Sequence, residues 1–274
     1  MRGGAAGKGK NSFVQCQKCK KTLFAGEFEA ALRVCSHCGH NHRLTYAQRI
    51  ECTFDEGSFE QLDTELRNLD PLEFPEYQDK HAKSAEKTGL HDCVVSGTAT
   101  LDGLPVATAI ADFRFMGGSM GSVAGEQITR TLERGVEQRC PVVIFCASGG
   151  ARMQEGLLSL MQMPKTTAAV QRCREAGVPY ICVFTDPTMA GVLASFASVA
   201  DVILAEPKAL IGFAGARVSK QAQVVKPPAD FQSAEFVERA GMLDKIVERR
   251  HMRTTLTTLV RMLGAHLRKE AKSG

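Results

Sequence analysis

The chain has 274 residues, of which 44% are hydrophobic and 23% charged, and a formal net charge of +4. These proportions support a packed core and exclude wholesale disorder, and no apolar run approaches the roughly 20 residues of a membrane span. The charge is uneven: residues 1–50 carry nine Lys and Arg against Glu27 and Glu29, so a basic N-terminal part precedes a mildly acidic remainder.

Residues 1–12, MRGGAAGKGKNS, lack the apolar stretch of a secretory signal and read as a flexible basic tail. There are ten cysteines, and in a large chain of this kind they point to a reducing compartment and metal binding, not to a disulfide framework. Cys16-Gln17-Lys18-Cys19 and Cys35-Ser36-His37-Cys38 each present two thiolates from a tight turn. Together they predict a closed four-cysteine zinc ribbon over residues 13–43, structural because no coordination position stays open. His37, His40 and His42 are expected at the solvated surface of the ribbon. Cys146 and Cys182 lie inside apolar runs and read as small buried hydrophobes.

Residues 44–92 are polar and weakly periodic, a connecting region with short helices. Ala47, Ile50 and Phe54 fall at helical spacing, while Asp70-Pro71 and Phe74-Pro75 interrupt longer elements. The main domain is expected over residues 93–274. It opens with two β-like runs, 94–101 and 104–111, joined by Asp102-Gly103, a strong hairpin signal. The loop Met116-Gly117-Gly118-Ser119-Met120-Gly121 then leads into a helix over 122–139.

A buried strand over 142–147, the turn Ser148-Gly149-Gly150, a helical segment and a second buried strand over 180–185 make a parallel βαβ unit. Thr185-Asp186-Pro187-Thr188-Met189-Ala190-Gly191 leads into a helix predicted over 192–200. Short strands follow at 202–205 and 209–213, then a loop over 214–230, a helix at 236–240 and an amphipathic helix over 252–268.

Three strand-to-helix turns therefore carry small residues: MGGSMG, ASGGAR and DPTMAG. Such turns let a ligand approach main-chain N–H groups, which can stabilise a phosphate or a developing oxyanion. The chain has neither the phosphate loop GxxxxGK[ST] nor the nucleophile elbow GxSxG, and no histidine lies in the core of residues 93–250. Glu126 and Glu155 follow glycine turns and are either acid/base groups or capping residues. Main-chain oxyanion stabilisation, suited to enolate chemistry on a thioester, fits the pattern better than a side-chain nucleophile.

Several blocks resemble the carboxyltransferase β subunit of the bacterial and plastid multi-subunit acetyl-CoA carboxylase. They are the four-cysteine ribbon ending in CSHCGHNHRLT, then FRFMGGSMGSVAGE, ASGGARMQEGLLSLMQM, TDPTM, and AEPKALIGFAGARV with DFQSAEF. The resemblance covers about residues 13–265. It implies an α/β, crotonase-like superhelix of ββα units behind the zinc ribbon. It also implies transfer of the carboxyl group from carboxybiotin, on a biotin carboxyl carrier protein loaded by biotin carboxylase, to acetyl-CoA, making malonyl-CoA for fatty acid synthesis. A carboxyltransferase α subunit would complete the site in an α2β2 heterotetramer, in bacterial cytoplasm or plastid stroma.

By the same resemblance, Ala190 and Gly191 match the glycine pair that supplies an oxyanion hole. The substrate pocket would include Gly117, Gly118, Ser148, Gly149, Gly150 and Arg152, with Arg217 near ligand phosphates or the partner subunit. The metal ligands would be Cys16, Cys19, Cys35 and Cys38. The sequence departs from the family at Ala190, Leu193 and Ala216, the last replacing the proline of FAGPR. These departures suggest a specialised or inhibitor-insensitive copy, or drift. Two other readings stand beside this one: another crotonase-type acyl-CoA reaction run by a glutamate or aspartate, and a zinc-ribbon nucleic-acid binder as a secondary activity.

Overall fold

The computed structural model describes residues 12–214 and 227–270. The tail at 1–11, Arg217 and most of the predicted 214–230 loop lie outside the described residues.

The ribbon is a small hairpin, β1 (Phe13–Gln15) and β2 (Thr22–Phe24), followed by α1 (Ala25–Ala30). Its own apolar core is slight: Leu23 and Phe28 pack with Cys16 and Cys35. The connecting region carries α2 (Tyr46–Thr53), β3 (Glu60–Leu62) and α3 (Tyr77–Thr88). Thr45 caps α2 in a reciprocal capping box with Gln48.

The main sheet adds β4 (Val94–Leu101), β5 (Leu104–Ala111), β6 (Val142–Ser148), β7 (Tyr180–Met189), β8 (Val202–Ala205), β9 (Ile211–Gly212) and β10 (Lys245–Ile246). Its order is β10-β8-β7-β6-β5-β4-β3, with β9 paired to β7. Strands β3, β4 and β5 pair antiparallel, and β5 through β10 pair parallel. The connecting region thus contributes a strand to the main sheet.

Helices α4 (Ser122–Glu137) and α5 (Leu157–Glu175) make the crossovers between β5, β6 and β7. They cover one face, where Ile128, Leu132, Val170 and Cys173 pack on Ile144, Cys146, Tyr180 and Cys182. Alternate strand residues Val143, Phe145, Ile181 and Val183 point the other way. They meet Met252, Leu256 and Val260 of the C-terminal helix Arg249–Leu263.

The helix predicted over 192–200 forms as α6 (Ala190–Leu193) and a separate 3-10 turn at Phe196–Val199. The break falls at Ser195, whose backbone leaves the helical region at φ −134°, ψ −126°, while its hydroxyl donates to Gly191 O at 2.6 Å. Strand β7 runs to Met189, past the predicted end at 185, because Thr188 and Met189 pair with Ile211 and Gly212 of β9. After β9 come α7 (Ala234–Arg239), β10, α8 (Arg249–Leu263) and α9 (Ala265–Glu270). The predicted single helix over 252–268 is split at Gly264, where an added Cβ would sit 2.8 Å from both Pro141 Cγ and Val260 O.

Candidate active site and metal centre

The four ribbon cysteines converge. Their sulfur atoms all lie within 4.8 Å of one another, and the Cys16–Cys38 and Cys19–Cys35 pairs are each 3.8 Å apart. A tetrahedral ion with Zn–S bonds of about 2.3 Å needs sulfur–sulfur edges of about 3.8 Å. The donor set and spacing therefore fit zinc, with no fifth protein ligand needed. His37 is exposed as expected, but His42 is buried. It packs edge-on against Phe28 and His40, so the expected solvated surface holds for only part of the histidine cluster.

The three small-residue turns leave β5, β6 and β7 at their C-terminal ends, on one side of the sheet, and touch one another. Gly149 N donates to Gly117 O at 2.9 Å, Met120 N to Gly150 O at 2.8 Å and Arg152 N to Met120 O at 2.9 Å. Gly118 has φ +63° and leaves no room for a side chain, since a Cβ there would lie 1.9 Å from Ala147 O. Gly150, φ +123°, faces the third turn: a Cβ there would lie 2.8 Å from the Ala190 methyl and 3.9 Å from Gly191 N. Sequence thus named the three turns, and folding joins Gly117, Gly118, Gly149, Gly150, Ala190 and Gly191 in one place. Ser148 is buried, its hydroxyl accepting from Gly150 N at 3.0 Å, which holds the middle turn.

Arg152 takes a different part from the expected one. Its side chain is wholly buried, so it has no face for a ligand. Its guanidinium forms two bonds to Asp92, at 2.6 and 2.7 Å, and donates to Ser119 O at 2.7 Å. Burial opposes its charge, but Asp92 outweighs burial and holds the guanidinium pKa above its usual value. This correction turns a proposed substrate contact into a brace between two turns.

Glu155 belongs to the same buried cluster. It accepts from Tyr77 Oη at 2.7 Å, Asn68 Nδ2 at 2.9 Å and Ser122 N at 2.6 Å. The last bond caps α4 from outside the helix. Burial pushes the Tyr77 hydroxyl pKa well up, so it remains a neutral donor. Glu126 is held by Arg130 and Lys165. Both glutamates are engaged in pairing. Asn68, Tyr77 and Asp92 gave no local signal in the sequence, since the cluster joins groups up to 87 residues apart.

Below the turns lies a narrow, mainly apolar cavity lined by Ala109, Gly118, Met120, Cys146, Ser148, Val192 and Phe196. Leu193 does not line it. Its side chain is buried in the main core, so this departure from the family pattern alters packing beside the site.

The carboxyl transferase domain family matches residues 40–235. The chain belongs to this family. It is 48% identical, over 94% of its length and 89% of the relative's, to the acetyl-coenzyme A carboxylase carboxyl transferase subunit beta of Synechococcus sp. (strain WH7803). The subunit of the same name from Desulforamulus reducens is also 48% identical, over 93% of this chain and 88% of its own.

Among solved structures, this carboxyl transferase chain shares its fold with transcarboxylase 12S at a TM-score of 0.68 and 24% identity. The match covers 85% of this chain and 42% of that one, so the chain spans less than half of the larger protein. A Pseudomonas malonate decarboxylase hetero-tetramer matches at a TM-score of 0.63 and 23% identity, covering 79% of this chain and 82% of that one. The expected crotonase-like α/β fold and the expected family therefore both hold.

Proposed function

We infer that this chain is the carboxyltransferase β subunit of an acetyl-CoA carboxylase and that, with an α subunit, it moves a carboxyl group from carboxybiotin to acetyl-CoA to give malonyl-CoA. The observation that carries the mechanism is the convergence of three main-chain turns, with the nearby carboxylates Asp92 and Glu155 already engaged. Such a site can bind charge on oxygen through its main-chain N–H groups.

Carboxybiotin, on a separate carrier protein, would supply both carboxyl group and base: cleavage of its N–CO2 bond would release CO2 and free the ureido nitrogen to take a proton from the acetyl methyl group, and the resulting enolate carbon would bond to the CO2. The chain's own part is to stabilise the enolate oxygen of the thioester. We assign this to the main-chain N–H groups of Ala190 and Gly191, at the start of α6, where first-turn N–H groups lack intrahelical acceptors. Gly117, Gly118, Ser148, Gly149 and Gly150 would shape the wall against which the thioester lies. Arg152 would support that wall from behind. Zinc, held by Cys16, Cys19, Cys35 and Cys38, would stabilise the ribbon and take no part in the transfer.

The α subunit would close the site, in an α2β2 assembly working with biotin carboxylase and its carrier protein. Among the described residues no helix is long and apolar enough to cross a membrane. Bacterial cytoplasm, or plastid stroma, is the proposed location.

The test is malonyl-CoA formation from acetyl-CoA and carboxybiotinylated carrier, with and without the α subunit. Activity only in the presence of both subunits is expected. Full activity of this chain alone would overturn the split site, and no turnover with acetyl-CoA but turnover with another acyl-CoA would change the assigned substrate.

A further inference from the structure

The ribbon is bonded to the main domain close to the glycine turns. Lys208 Nζ donates to Cys38 O at 2.6 Å, and Asn41 Nδ2 donates to Pro207 O at 3.0 Å. These bonds fix the second knuckle against the segment between β8 and β9. Two residues beyond Asn41, the chain presents Arg43.

Arg43 contacts the approaches to two different turns. Its guanidinium lies 3.9 Å over the Phe113 ring, and its Nε donates to Asp186 O at 3.0 Å. Phe113 sits beneath the first turn, its Cζ 3.8 Å from where a Gly117 Cβ would stand. Asp186 opens the third turn. Its Oδ1 accepts from Leu210 N at 3.0 Å, and Thr188 N donates to Leu210 O at 2.8 Å. These bonds set the end of β7 that delivers Ala190 and Gly191.

We propose that Arg43 is a positioning residue, carrying the placement of the zinc ribbon to the MGGSMG and DPTMAG turns. The proposal rests on reading those turns as the carboxyl-transfer site. The Arg43–Asp186 charge pair, 3.6 Å apart with half of the arginine side chain exposed, contributes little by itself. Geometry carries the effect. A planar guanidinium can stack on Phe113 while donating to Asp186 O, and a lysine ammonium on a flexible stem cannot hold both contacts. In this arrangement the sequence segment CSHCGHNHR does more than hold a metal: it ends in the residue that joins the ribbon to the turns.

The experiment uses the full chain with its α subunit, as wild type, Arg43→Ala and Arg43→Lys. It measures hydrogen exchange at residues 113–121 and 186–191, zinc per chain, and kcat and KM for acetyl-CoA. Arg43→Ala should retain its zinc and exchange faster at both turns, with β6 unchanged. Its kcat should fall about ten-fold while KM moves less than about two-fold, the pattern of misplaced groups and not of lost ligand contact. Arg43→Lys should restore protection at 186–191 but not at 113–121.

Unchanged exchange at both turns would overturn the proposal, whether or not kcat falls. Should Arg43→Ala lose zinc or fail to fold, Phe113→Leu replaces it. Faster exchange confined to 113–121 with a lower kcat then supports the coupling, and wild-type behaviour refutes it. The exchange measurement needs no turnover, so a failure of the acetyl-CoA assay and a failure of the coupling are separately visible.

Discussion

Ala190 holds a left-handed backbone position, φ +50°, with its methyl group turned toward Gly150. An L-residue other than glycine pays about 1–2 kcal/mol for that conformation, and glycine returns part of this gain through its freer unfolded chain. Ala190→Gly should therefore raise stability by about 0.5–1 kcal/mol, read as a higher urea midpoint with an unchanged slope. A lower midpoint would mean that the methyl contact outweighs the strain. Leu193 differs in kind: it is a core residue, so Leu193→Ser would damage packing and confuse any comparison of inhibitor response. The sequence identified Ala190 as a departure from its family, but not its strain, because φ is set by where β7 ends on β9. Arg152 was misjudged for a related reason. A residue beside a glycine turn looks available to a ligand until Asp92, 60 positions earlier, is seen to occupy both ends of its guanidinium.

At the scale of elements, local patterns found the hairpin β4–β5, the βαβ unit and the ribbon, since each is written in spacing that short-range chemistry enforces. They missed the break after α6, where the backbone of Ser195 leaves the helical region, and the use of β3 as an edge strand, which depends on pairing with β4. The ribbon is the element least able to stand by itself. With Leu23 and Phe28 buried between its cysteines and Val14 packed beside them, its apolar core is small and its order should depend on metal. Removing zinc with a chelator should abolish slow hydrogen exchange over residues 13–43 and leave β4 through β7 protected. Retained protection in the zinc-free ribbon would show that docking to the main domain suffices.

Across the whole molecule, that docking runs through a buried charge cluster. Glu206 binds Arg49 Nη2 at 2.7 Å and Arg249 Nη2 at 2.6 Å, and Arg249 Nη1 donates to Leu32 O and His42 O at the base of the ribbon. Burial raises the Glu206 pKa, but the two arginines outweigh burial and bring it down to about 2 from an ordinary 4.5. A carboxylate depressed on folding contributes stability above its unfolded value and loses it as pH falls toward the folded one. Stability should thus decline below about pH 4.5, with a shallower acid slope in Glu206→Gln. Equal slopes in the two proteins would remove Glu206 from the acid response. The three convergent turns have a consequence for mutational scanning. Alanine scanning works by deleting atoms, and a surface built of glycines and main chain has almost none to delete. The informative scan here runs the other way, adding one methyl at a time: at Gly118 it would collide with Ala147 O, at Gly150 with Ala190. A map of tolerated substitutions should accordingly show this site as a set of positions intolerant of growth.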